Sequence, residues 1–266
     1  ALGLVMDIAG RTAAAGGAGA VRGMSADLGG SGLVLVGPPG TRKTELFFEL
    51  LGNPGFKLQS NDIVFVRVAG GRAAADSVER KLYLPTIAVE LDGRLAPRFD
   101  RSRCENVVGR KEDCGDVECQ RADDCRLDRG SPYCYKASKE AYGMLDPAWI
   151  GGPEAFARRT SLRWIFLLRN DLTSPAVVEV EKGEALRVLE AGEAAGAKRS
   201  LTVKSQPFYN PHWLPGVRAE GAAAGVSADR LAQQREFFGR LLDVAKCYLL
   251  NSGVAGAARI REIIGA

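Results

Sequence analysis

Residues 33–46 read Leu-Val-Leu-Val-Gly-Pro-Pro-Gly-Thr-Arg-Lys-Thr-Glu-Leu, an apolar run that opens into a Gly- and Pro-rich turn and then into a helical pattern. This order of strand, turn and helix start constrains the chain more than any other segment, because it turns backbone N–H groups at a helix N-terminus toward an anion. It follows the G-x-x-x-x-G-K-[ST] (Walker A) phosphate-loop pattern from Gly37 to Thr44, with one departure. Arg42 stands where the pattern has its last glycine. Glycine serves there because backbone can approach phosphate closely and take dihedrals that a side chain disfavours. The spacing makes Gly37, Pro38, Pro39, Gly40, Thr41, Arg42, Lys43, Thr44 and Glu45 the candidate nucleotide-binding residues. Lys43 supplies the point charge and Thr44 the Mg²⁺ ligand. Arg42 could add a phosphate contact or obstruct the cradle.

The chain has 266 residues, 46% of them hydrophobic and 26% charged, enough to bury a sizeable core. Its net charge of +4 is spread over 36 basic and 32 acidic side chains, which argues against a nucleic-acid surface but suits anionic small molecules. No apolar stretch approaches the roughly 20 residues that cross a bilayer, so no membrane span is expected. Residues 1–20 have neither the basic start nor the apolar centre of a secretory signal. The expectation is a cytoplasmic protein whose natural chain extends upstream of Ala1, and a homo-oligomer is compatible with it.

Along the chain, Leu2 to Ile8 and Met24 to Leu28 read as edge strands. Thr44 to Leu51 has helical spacing that Asn53-Pro54-Gly55 ends, and Ile63 to Val68 reads as the returning strand. Together these make a βαβ unit of an α/β nucleotide-binding fold, whose ligands sit beyond the carboxyl ends of the strands. Lys81 to Leu91, Trp164 to Leu168, Ala176 to Val180 and Cys247 to Leu250 are further strands. Gly183 to Ala191, a helix capped by Ser227 with Leu231, Phe238, Leu241, Leu242 and Ala245 on its apolar face, and Arg259 to Ile264 are helices. Residues 100–140 combine dense charge, few large aliphatics and five cysteines, and read as an insertion within a single domain spanning 1–266.

Asn61-Asp62 lies one helix beyond the loop, where a doubly wound unit brings its chain back to the phosphate end. A phosphoryl-transfer site needs charge neutralisation, a metal and a group that orients or deprotonates the attacking oxygen. Asp62 suits Mg²⁺ or the proton, whereas the amide of Asn61 cannot act as a base. The plainer alternative is a turn into a strand.

These residues carry a family resemblance. Gly23-Met24-Ser25-Ala26-Asp27, then Leu33 to Leu51, then Leu58 to Val64 resemble the core of HPr kinase/phosphorylase, and Glu45-Leu46 and Glu49-Leu50 extend the match. Phe166 to Asp171, with Pro175 and Glu184-Ala185-Leu186, is similar to the late strand and helix of phosphoenolpyruvate carboxykinases, which share that P-loop fold. The resemblance covers about half of the chain. It implies an α/β P-loop domain with a central mixed sheet, flanking helices and ATP with Mg²⁺ as cofactors. Lys43 would contact the β- and γ-phosphates, Thr44 would hold Mg²⁺, and Asn61-Asp62 would occupy the family's paired aspartates. Arg42, Asn61 and Arg22, which stands where the kinases have histidine, depart from the pattern.

Cys114, Cys119, Cys125 and Cys134 place four sulfurs in 21 residues, with Cys104 upstream and Cys247 far away. In a cytosolic enzyme clustered thiols favour a structural metal, here Zn²⁺, with an Fe–S cluster, two disulfides or unlinked thiols as the other readings. His212 lies in a Pro- and aromatic-rich loop and reads as a surface or packing residue, with general-base chemistry as the other reading. Arg158, Arg159 and Thr160 read as an exposed helix face or as a contact to an anionic substrate, and Asp146 as part of a turn or as a ligand.

The function expected from these residues is ATP/Mg²⁺-dependent transfer of phosphate to a hydroxyl on a protein serine or a small molecule. Asp62, Lys43 and Arg42 would act in the chemistry. The rival is a nucleotide-binding regulatory module with little or no catalysis, for which Arg42 and Asn61 speak.

Overall fold

The computed structural model describes residues 17–37, 41–77, 82–86, 104–105, 108–114, 125–132, 134, 141–146, 153–171, 173–191 and 228–266. Among the described residues twelve strands run in the order β1 (Ala18–Arg22), β2 (Met24–Leu28), β3 (Ser31–Val36), β4 (Phe56–Ser60), β5 (Ile63–Ala69), β6 (Arg72–Ser77), β7 (Leu82–Pro85), β8 (Cys104–Glu105), β9 (Tyr142–Leu145), β10 (Arg159–Arg169), β11 (Val177–Glu179) and β12 (Lys246–Asn251). The α-helices among them are α1 (Lys43–Leu51), α2 (Lys182–Ala191), α3 (Ala228–Leu242) and α4 (Ala257–Ile264). The chain divides into two compact units, residues 1–79 with 156–266, and Arg80–Ala155. The expected strand at Leu2 to Ile8, and Pro38, Pro39, Gly40, Cys119 and His212, lie outside the described residues.

The larger unit is built on a mixed sheet. Its centre is β3, β10 and β12, mutually parallel through β10, with Val34 beside Ile165 and Leu167 beside Leu249. Strands buried on both faces carry near-continuous apolar runs, as residues 33–36, 164–168 and 247–250 of these three do. Val34, Val36, Ile165, Leu167, Cys247 and Leu249 share one core with Leu186, Leu189, Phe237, Phe238 and Leu241 of α2 and α3. One residue out of phase, Leu33, Leu35, Phe166, Leu168, Tyr248 and Leu250 are also buried, and the period of two places them on the opposite face. There α1 packs on β2, β3 and β4 through Leu46, Phe47 and Leu50, each 0% exposed. Phe166 stacks on Tyr248 with ring centroids 5.3 Å apart. Burial of one such phenyl ring stabilises by roughly 1.5–3 kcal/mol, so helix and strands specify each other.

The flanking strands do more than cover edges. β1 pairs antiparallel with β5, and β2 with β4, in one nearly continuous register from Ala18↔Arg67 to Leu28↔Phe56. Met24–Leu28, read from sequence as an edge strand, therefore lies between β3 and β4. β10 is longer than its apolar run because Arg159–Ser161 pair with β6 before Trp164–Arg169 pair with β12. Arg159 and Thr160 thus stand on a strand and not on a helix face. Arg159 is held by Asp76 through Nε at 2.6 Å, and Thr160 donates to the buried Asp27 carboxylate.

In the second unit, β7 and β8 flank β9, which carries Tyr142 opposite Pro85 and Glu105. Its limits, Arg80–Ala155, reach beyond the charged 100–140 segment on both sides. Cys134 forms an isolated bridge with Val108. Cys125 and Cys134 are buried, Cys114 is half-buried, and none of the three is in a disulfide. Asp146 follows β9. Among the described residues no three His, Cys, Asp or Glu side chains come together as a metal group. The Zn²⁺ expectation, which needs Cys119, gains no support from them.

Candidate phosphate and acceptor site

Register alone gathers the site. β2 runs against β3 with Met24 opposite Leu35, so Gly23 and Arg22 lie at the carboxyl end of β3, where Gly37 begins the loop. The β4–β5 turn reaches the same end, since Ser60 pairs with Ser25 and Ile63 with Arg22. Asn61 and Asp62 occupy that turn, and the N–H of Gly23 donates to the Asp62 carbonyl at 2.8 Å. Because β3, β10 and β12 are parallel, Arg169 and Asn251 end their strands there too.

Gly37 has no space for a side chain. A Cβ there would stand 2.7 Å from Thr41 Oγ1 and 2.9 Å from Leu168 Cβ. Beyond the undescribed Pro38, Pro39 and Gly40, Thr41 is buried and Arg42 takes the N-cap position of α1 in the left-handed region, φ 53° and ψ 24°. Among the described residues it is the one non-glycine with positive φ. The missing glycine therefore marks a real backbone demand, met by arginine at roughly 1–2 kcal/mol of conformational cost. Two contacts offset that cost. Arg42 Nε donates to Glu45 Oε2 at 2.6 Å and Nη1 to the Ser252 carbonyl at 3.1 Å in the turn after β12. The guanidinium is thus directed along the first turn of α1 and toward β12.

The N-cap Arg42 makes no side-chain capping bond to the first turn of α1, whose N–H groups carry the positive end of the helix dipole. Lys43, its first residue, is half-buried and donates only weakly, from Nζ to the Gly37 carbonyl at 3.4 Å. Burial pushes its ammonium below the ordinary lysine value, the Asp62 charge pulls it back up, and the Arg22 charge lowers it again. Asp62 in turn accepts from Arg22 Nε at 3.3 Å, both side chains being more than a third exposed, at 35% and 39%. Thr44 follows Lys43 half-buried, Glu45 is exposed, and Asn61 is buried.

Arg169 and Asp171 form a second charged group, Nε to Oδ2 at 3.8 Å, both nearly buried. Burial raises the Asp171 carboxyl, but hydrogen bonds from Ser174 and Thr173 and the Arg169 charge leave it below the usual carboxylate range. Asn251 ties this group to β12 by donating to the carbonyls of Asp171 and Ser174 at 2.9 and 3.0 Å.

These groups fit a bound phosphate with a hard cation. The helix N-terminus takes no cap from Arg42, Gly37 leaves close backbone, the one lysine at the loop pays for its burial until an anion joins it, and one carboxylate stands within reach of its charge. Lys43, Thr44 and Asp62 are brought to one end of the sheet with Gly37, Thr41 and Arg42. Arg158, Arg159 and Thr160 are not part of that constellation, while Arg22, read from sequence only as a departure from a family pattern, is.

No protein-family model and no curated protein matches this chain. Among solved structures, the Hpr(Ser) kinase/phosphatase from Coxiella burnetii is similar at 11% identity over 60% of this chain and 70% of that one, with a TM-score of 0.30. Likeness at that level does not establish a shared fold or activity.

Proposed function

We propose that the larger unit binds ATP with Mg²⁺ and transfers the terminal phosphoryl group to a hydroxyl. The observation that supports it best is the convergence, at one sheet end, of the α1 N-terminus behind Gly37, the half-buried Lys43 and the Asp62 carboxylate. Backbone N–H groups and Lys43 would hold the phosphates, and Thr44 and Asp62 the metal. Mg²⁺, when bound, neutralises charge on the phosphate oxygens. Asp62 orients the acceptor hydroxyl and takes its proton as that oxygen bonds to phosphorus and the β–γ bridging bond breaks, its electron pair leaving with ADP. The acceptor is a protein serine or a small molecule. The reading implies a cytoplasmic protein, and no helix among the described residues is long and apolar enough to cross a membrane.

A regulatory nucleotide-binding module is the second reading, favoured by the ion pair that engages Asp62 with Arg22 and by the tether of Arg42 to Ser252. Calorimetric titration of a non-hydrolysable ATP analogue with Mg²⁺ tests the premise of both. Lys43→Ala should weaken binding by about tenfold or more, equivalent to 1.4 kcal/mol. Unchanged affinity removes both readings. Binding by the wild type without ADP formation or labelling of any lysate component from γ-labelled ATP favours the module.

A further inference from the structure

We propose that Arg22 determines acceptor specificity by binding a carboxylate or phosphate carried beside the reacting hydroxyl, so that the acceptor is a small acidic hydroxy compound. This rests on the phosphotransferase reading and narrows its substrate.

Arg22 ends β1, one residue before Gly23, at the sheet end that holds the loop. Among the described residues its side chain bonds Asp62 through Nε, at 3.3 Å, and none accepts from Nη1 or Nη2. A guanidinium forks onto a carboxylate or phosphate through two parallel N–H bonds, and here the outer pair of nitrogens is open to the site on a side chain 35% exposed. Arg22 is anchored on the group proposed to take the hydroxyl proton. What binds its outer nitrogens is therefore the molecule that carries that hydroxyl, whereas the nucleotide is held from the α1 side by Lys43. The arginine also holds Asp62 in place while the site is empty of acceptor.

The test is a calorimetric titration of glycerol, glycerate and glycerol phosphate into protein saturated with a non-hydrolysable ATP analogue and Mg²⁺. The two acids distinguish a carboxylate from a phosphate. Wild type should prefer one acid over glycerol by about tenfold or more, Arg22→Gln should lose that preference, and Arg22→Lys should keep part of it. The circular dichroism of each variant should match wild type, and each is titrated at its own saturating concentration of the analogue. Preference surviving in Arg22→Gln or no preference in wild type overturns the proposal. Failure of wild type to bind the analogue at all appears in its own titration and overturns the phosphotransferase reading instead.

Discussion

The backbone N–H of Gly23 donates to the carbonyl of Asp62 at 2.8 Å, across a chain separation of 39 residues. That bond joins the β1–β5 and β2–β4 ladders, so the turn bearing Asp62 is clamped to the junction between β1 and β2. The clamp also needs a glycine, because a Cβ at position 23 would lie 2.6 Å from the Leu35 carbonyl oxygen. Arg22 and Asp62 are presented as neighbours by the same register.

Gly37→Ala places a methyl group against Thr41 Oγ1 and Leu168 Cβ, at 2.7 and 2.9 Å. Overpacking of this kind costs about 1–3 kcal/mol. The urea midpoint should fall accordingly, and nucleotide affinity should fall with it. An unchanged midpoint shows that the loop yields freely.

Arg42 combines an unfavourable backbone with compensating contacts. Arg42→Gly removes a strain of roughly 1–2 kcal/mol and loses one exposed ion pair, worth about 0–1 kcal/mol, and one hydrogen bond, worth about 0.5–1.5 kcal/mol. Its stability should therefore stay within about 1 kcal/mol of wild type. Arg42→Val keeps the strain, worsens it by β-branching and loses both contacts, so it should be clearly less stable. Equal denaturation midpoints for the two variants would contradict the left-handed assignment.

The lowered pKa of Lys43, caused first by burial, has a definite sign in stability. Between the folded value and the ordinary lysine value of about 10.4 the unfolded chain binds more protons, so stability rises with pH across that window. Below the window the cost of the buried charge is complete. Lys43→Met should abolish this rise and be the more stable protein below it, in urea midpoints followed from pH 7 to 10. A rise retained by the variant assigns the effect to another group.

Cys247 lies in the core on β12, where burial pushes its thiol up to about 12. Its thiolate is then scarce at pH 8 and its sulfur is covered. Mass spectrometry after alkylation should find Cys247 unmodified in the native protein and modified in urea, whereas the half-buried Cys114 should react without denaturant. Rapid native modification of Cys247 would place its strand elsewhere.

Much of the central architecture was legible. The apolar run of β3, the spacing of Leu46, Phe47 and Leu50 in α1, and the runs in β5 and β12 are local patterns that survive folding because most of those apolar residues are buried. β1 and β6, Ala-Gly-Ala-Val-Arg and Arg-Ala-Ala-Ala-Asp-Ser, have little intrinsic strand preference. Their extended form comes from partners on both sides or on one, as β1 meets β5 and β6 meets β5 and β10. The same pairing explains why β10 outruns its apolar segment.

By itself the sequence determined a strand, a glycine-bearing turn and a helix headed by Lys43-Thr44, with Asp62 one strand later, because short-range periodicity and turn chemistry are written in neighbouring residues. The partners of the two departing arginines were decided by tertiary structure alone. Arg22 meets Asp62 from 40 residues away and Arg42 meets Ser252 from 210, and such pairs exist only once strand register has brought distant backbone to one end of the sheet.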